Sequence, residues 1–146
     1  GSGKTHTMFG PSMDGRLNRS NDGLIPRALQ KLFACLEDRK AQAPTSFNFS
    51  VEVSFVELYN ENSFDLLKGG SEKLQLRHNG DGSVYVTGAI KESVSTSIDA
   101  MRVVERGLKQ RRVAETAMNR ESSRSHAILC LHVCTDVYEN GMTKQR

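Results

Sequence analysis

The chain has 146 residues, 37% hydrophobic and 25% charged, with a formal net charge of +3. That balance suits an ordinary globular domain with a sizeable core and excludes a low-complexity or highly charged chain, so composition calls for neither nucleic acid nor any other acidic partner. Cys35, Cys130 and Cys134 lack metal-ligand spacing, no signal peptide is visible, and no apolar run nears the roughly 20 residues of a membrane helix, which together point to a reducing compartment, no metal cluster of cysteines and no membrane span.

In chain order, Gly1-Ser2-Gly3-Lys4-Thr5 is the tail of G-x-x-x-x-G-K-[ST], the phosphate-binding P-loop. Glycines let backbone N–H groups curl toward phosphate oxygens, and a helix beginning near Lys4 would add its partial positive charge. The motif's opening glycine falls ahead of Gly1, so the chain reads as an excerpt truncated at both ends and is expected to be inactive alone. Gly10 to Gly23 is rich in Gly, Asn, Asp and Ser, the chemistry of turns. A helix follows from Leu24, with Pro26 in its first turn and Leu29, Leu32, Phe33 and Leu36 on one face. Glu37 to Pro44 reads as a polar linker.

Phe47, Phe49, Val51, Val53 and Phe55 alternate with Asn48, Ser50, Glu52 and Ser54, which predicts a strand with one partly polar face. Val56 to Leu67 continue it into a short connection. Leu74-Gln75-Leu76 and Val84-Tyr85-Val86 flank Asn79-Gly80-Asp81-Gly82, a hairpin signal. Thr96-Ser97-Ile98-Asp99 is a capping box that opens a helix. Its inward stripe is expected to be Ile98, Met101, Val104 and Leu108, and its solvated basic face Arg102, Arg106, Lys109, Arg111 and Arg112. The polar stretch Asn119-Arg120-Glu121-Ser122-Ser123-Arg124-Ser125-His126 then leads into a predicted core strand from Ile128 to Val137, with Cys130 and Cys134 as small core residues. Asn140-Gly141 reads as a turn into a further strand.

Two of these stretches carry a resemblance. Residues Gly1 to Met8 resemble the kinesin P-loop, and Asn119 to His126 resemble the kinesin switch I loop, N-x-x-S-S-R-S-H. Ser54 to Glu61 and Asp65-Leu66-Leu67 match the family in type and order. The resemblance implies that residues 1–146 are a partial kinesin motor domain, with the P-loop at 1–5 and switch I at 119–126. Its implied fold is α/β, a fragment of a P-loop NTPase fold with a mostly parallel or mixed central sheet and helices on both faces.

The implied activity is microtubule-stimulated hydrolysis of Mg-ATP, in the cytoplasm on the microtubule cytoskeleton, and Arg120-Glu121 leans toward the spindle-associated members. Gly1, Ser2, Gly3 and Lys4 would cradle the phosphates, Thr5 would ligate Mg²⁺, and His6 would lie beside the adenine. In switch I, Ser123 would complete the Mg²⁺ shell, Ser122 would contact the γ-phosphate or attacking water, Asn119 would hold the closed loop, and Arg124 would pair with an acid of a second switch. That second switch, D-x-x-G-x-E, does not occur in this sequence. His126 could equally be a buried, hydrogen-bonded histidine at the strand's edge. Arg77 and His78 match the basic positions of the family's microtubule-touching hairpin only loosely, and Gly82 falls where a base often sits. Two other readings stay open: a microtubule-binding relative without turnover, and another P-loop ATPase or kinase.

Overall fold

Short connections decide the sheet. The computed structural model describes residues 3–10, 22–69, 72–117, 125–139 and 142–145, with backbone alone for 113–117 and 139. The described elements are α1 (Lys4–Phe9), α2 (Leu24–Gln42), β1 (Phe47–Tyr59), β2 (Asn62–Asp65), β3 (Lys73–His78), β4 (Val84–Thr87), β5 (Glu92–Val94), α3 (Ser97–Ala117), β6 (Ser125–Glu139) and β7 (Met142–Gln145). The strands follow the order β4-β3-β2-β1-β6-β7, with β5 also on β1. The β1–β2, β2–β3, β3–β4 and β6–β7 ladders are all antiparallel. Tyr138 near the end of β6 donates its N–H to the carbonyl of Ser46, just ahead of β1, as an antiparallel β1–β6 pair requires. The expectation of a mostly parallel or mixed sheet is therefore corrected for these pairs. A parallel pair needs a crossover of a dozen or more residues, and Asn60-Glu61 or residues 79–83 are too short to supply one.

The chain divides into two compact units, one of residues 1–52, 93–102 and 132–146, the other of residues 53–92 and 103–131. In the first, α2 buries Pro26, Leu29, Phe33 and Leu36, the face predicted from spacing. It does not stop at Glu37, however, but runs on to Gln42. Residues Glu37 to Gln42 contain neither Gly nor Pro and are mostly good helix formers, so polarity alone gave no stop. The Arg39 guanidinium lies 4.6 Å from the Phe47 ring centroid, and Lys40 Nζ donates to the Pro44 carbonyl at 2.7 Å. The capping box forms as read: Asp99 N–H donates to Thr96 Oγ1 at 3.1 Å, and Thr96 Oγ1 donates to Asp99 Oδ2 at 2.8 Å. Ile98, expected inside, is 47% exposed. One residue into a helix, its side chain lies on the capped outer turn, and the buried stripe falls instead on Ala100, Met101, Val103, Val104 and Leu108.

In the second unit the β1 alternation ends. Val53, Ser54, Phe55, Val56 and Glu57 are all buried, so this stretch is covered on both faces. Gly107 of α3 packs so closely that a Cβ there would stand 2.3 Å from Phe55 Cδ1. β1 turns into β2 through Asn60 and Glu61, both at positive φ (47° and 61°), the hand a two-residue hairpin turn demands. The predicted β3–β4 hairpin forms in the register Leu76↔Val86 and Arg77↔Tyr85. Gly82 (φ 84°) closes its turn, and the Ser83 hydroxyl and N–H beside Asp81 hold that carboxyl below its ordinary range. Leu76, Val84 and Tyr85 remain exposed.

The predicted core strand β6 forms but is not buried. Ile128 is 46% exposed, Val133 also lies open, and Cys130 and Cys134 are half-buried and free. An apolar run states that a strand can be covered, not that it is. β7 pairs with β6 as expected, Glu139 opposite Met142.

Candidate functional site

The P-loop end is built by one glycine and one short helix. Gly3 sits at φ 71°, ψ −4°, the left-handed region that only glycine enters cheaply, and a Cβ there would meet nothing within 4 Å. α1 begins at once. Its first intrahelical bond runs from Thr7 N–H to the Gly3 carbonyl at 2.9 Å, so the N–H groups of Lys4, Thr5 and His6 precede the ladder and face out from the helix start. Lys4, Thr5 and His6 are all exposed, and α1 contains no buried residue. An ammonium, a hydroxyl and three outward N–H groups form a donor set suited to a polyphosphate and a hard divalent cation. Behind α1, Gly10 N–H donates to the His6 carbonyl at 2.8 Å. A Cβ on Gly23 would fall 2.4 Å from the Phe9 nitrogen, so glycine is required where the start of α2 passes the end of α1. Gly1 and Ser2 lie outside the described residues.

Of the switch I stretch, Asn119, Arg120, Glu121, Ser122, Ser123 and Arg124 lie outside the described residues, and Ser125 and His126 open β6. His126 is exposed, which corrects the buried alternative: it is the second residue of a strand whose near end is open. Ser125 is half-buried, and its Oγ accepts a hydrogen bond from Arg111 Nη2 at 2.5 Å. Arg111 Nε donates in turn to Glu57 Oε1 at 3.1 Å, with the Glu57 side chain fully buried and that of Arg111 20% exposed. Arg111 therefore leaves the solvated face assigned to it, whereas Arg102 pairs with Asp99 at the surface and Arg106 with Glu92.

Sequence reasoning missed this relay. A signal was present: Glu57 interrupts the apolar run Phe55-Val56-Glu57-Leu58, and a buried carboxylate is costly unless a base meets it. Asp65 was missed in the same way. Fully buried at the end of β2, it accepts from Leu67 N–H (2.8 Å) and from Ile90 N–H (2.7 Å). Among the described residues no group of His, Cys, Asp and Glu forms a metal cluster, and no helix is long and apolar enough to cross a membrane.

A glycine in the left-handed region followed by Lys-Thr at an open helix start has the form in which P-loop proteins end their phosphate-binding loop, and it points to the P-loop class. Comparison with known proteins narrows the class. Residues 1–146 match the kinesin motor domain family throughout their length, and the chain belongs to that family. It is 42% identical over 133 residues to the Kinesin-like protein KIF15 of Rattus norvegicus, covering 91% of this chain and 10% of that protein. It is 36% identical over 144 residues to the Kinesin heavy chain of Syncephalastrum racemosum, covering 99% of this chain and 15% of that one. A solved structure of a fast kinesin superposes with a TM-score of 0.83 at 33% identity, covering 99% of this chain and 39% of its own. The chain thus spans about a tenth of the length of the first curated relatives it matches.

Proposed function

We propose that the protein carrying this chain is an ATP-dependent microtubule motor that hydrolyses Mg-ATP to drive movement or remodelling along microtubules in the cytoskeleton. The observation that carries the reading is the match of all of residues 1–146 to the kinesin motor domain. The fast kinesin that superposes on the chain was studied for its ATPase mechanism and its interactions with microtubules, and the exposed donor set at Gly3 to His6 fits the same chemistry. The parallel strands and two-sided helix layer of the P-loop fold belong to this proposal for the whole motor domain.

In it, Lys4 sets its ammonium against the β- and γ-phosphate oxygens while the first-turn N–H groups of α1 hold the chain of phosphates in place. Mg²⁺, when bound, neutralises charge on those oxygens, and Thr5 and Ser123 are the hydroxyls that would hold it. Ser122 contacts the γ-phosphate or the attacking water, Asn119 steadies the loop and Arg124 clamps it to an acid. His6 stands at the base of the nucleotide. Catalysis then consists mainly of positioning and electrostatic stabilisation.

The test is Lys4→Ala in the full-length protein, read by ATP affinity and by ATP turnover with and without microtubules. Loss of the cation should weaken Mg-ATP binding and cut turnover by about a hundredfold or more. Normal turnover in the alanine variant would sink the P-loop assignment.

A further inference from the structure

The Glu57–Arg111–Ser125 relay has no part in the nucleotide chemistry just described, yet it ends on Ser125, within the switch I stretch. Ser125 is bonded to Arg124 and lies two residues from Ser123. A two-residue span reaches at most about 7 Å, so the place of Ser125 limits where the Ser123 hydroxyl can go. Arg111 stands on α3 ahead of the stretch and Ser125 follows it, at a sequence separation of 14. The hydrogen bond between them therefore joins the two stems of the segment that bears Asn119, Ser122, Ser123 and Arg124. Arg111 is itself held by a fully buried acid on β1.

Cohesion alone does not explain the relay. A buried ion pair is a weak way to hold a strand to a helix, because apolar residues of similar volume do so as well or better. What a planar guanidinium adds is direction. Nε is committed to Glu57, which fixes the plane in which Nη2 offers its two protons, and Ser125 Oγ takes one of them. A lysine ammonium would reach one partner without fixing the other.

We propose that Arg111 is a positioning residue for ATP turnover: anchored by Glu57, it fixes Ser125 and with it the exit of the loop that carries the reacting serines. This deepens the function proposed above and rests on it. In this role Arg111 acts through Ser125.

The experiment compares Ser125→Ala, Ser125→Thr and Arg111→Lys with the parent in the full-length protein, by steady-state ATPase kinetics, amide hydrogen exchange across residues 119–125 and thermal melting. Ser125→Ala removes only the acceptor. It should lower kcat about tenfold, the usual weight of a hydrogen bond to a charged group, with KM for ATP within about twofold because the P-loop is untouched. Exchange of the 119–125 amides should quicken severalfold while the melting midpoint stays within about 2 °C. Ser125→Thr, which keeps the hydroxyl, should restore both kcat and protection, and Arg111→Lys should behave like Ser125→Ala. Unchanged exchange in Ser125→Ala overturns the relay whatever the turnover does. Faster exchange with unchanged kcat overturns its role in turnover, as does a loss of kcat that Ser125→Thr fails to rescue and that follows the melting midpoint. If the parent protein hydrolyses no ATP while Ser125→Ala still loosens the loop, the ATPase reading fails and the clamp stands.

Discussion

α1 and the β1–α3 packing of the second unit make opposite uses of polar side chains. α1 buries nothing, and every residue proposed to meet nucleotide there is exposed. Where β1 meets α3, Glu57 is fully enclosed and Arg111 partly so, with Phe55 pressed against Gly107. The first region owes its shape to backbone: one left-handed glycine and a helix start. The second owes its shape to side chains that cannot be exchanged singly. Chemistry in the exposed region should therefore be removable without loss of fold, while substitutions in the buried one should damage fold first.

Four substitutions probe that contrast. Glu57→Ala is the largest: it leaves Arg111 without the partner that justifies its burial and opens a void in β1, and should cost about 3–5 kcal/mol of unfolding free energy, read by denaturant titration. A loss below about 1 kcal/mol would mean the pair is dispensable and the contrast false. Gly107→Ala comes next, at about 1–3 kcal/mol, because the added methyl meets the ring of a residue only 1% exposed. Trimming that ring with Phe55→Leu should recover part of the loss in the double variant, and simple additivity of the two would show that the close approach is not the cause. At the small end, Lys4→Ala should leave the melting midpoint within about 2 °C while weakening nucleotide binding. A clear drop in melting midpoint without nucleotide would show that α1 depends on its lysine for folding.

The same contrast separates what the sequence made legible from what it hid. Local signals sufficed for the start of α1 at Lys4, the buried face of α2, the Thr96–Asp99 capping box and the β3–β4 turn, since each is specified within a few residues. The relay was hidden because Arg111 and Glu57 stand 54 positions apart, and a run of five bases on one helix gives no sign of which one turns inward. The β1–β2 hairpin was obscured by Glu61, which takes a conformation that usually marks glycine. β5 was too short to leave a pattern. Ile128 and Val133 of β6 read as core and lie open in this chain, which spans 39% of the superposed kinesin structure.

Asp65 has a consequence of a different kind. By receiving Leu67 on one side and Ile90 on the other, it fastens together the departure and return of everything between them, including the β3–β4 ribbon. The ribbon is thus held twice over, by the β2–β3 ladder along its edge and by the Asp65 carboxylate where its two ends meet. With its ends fastened by the carboxylate, the exposed tip at residues 79–83 can change length or charge at little structural cost.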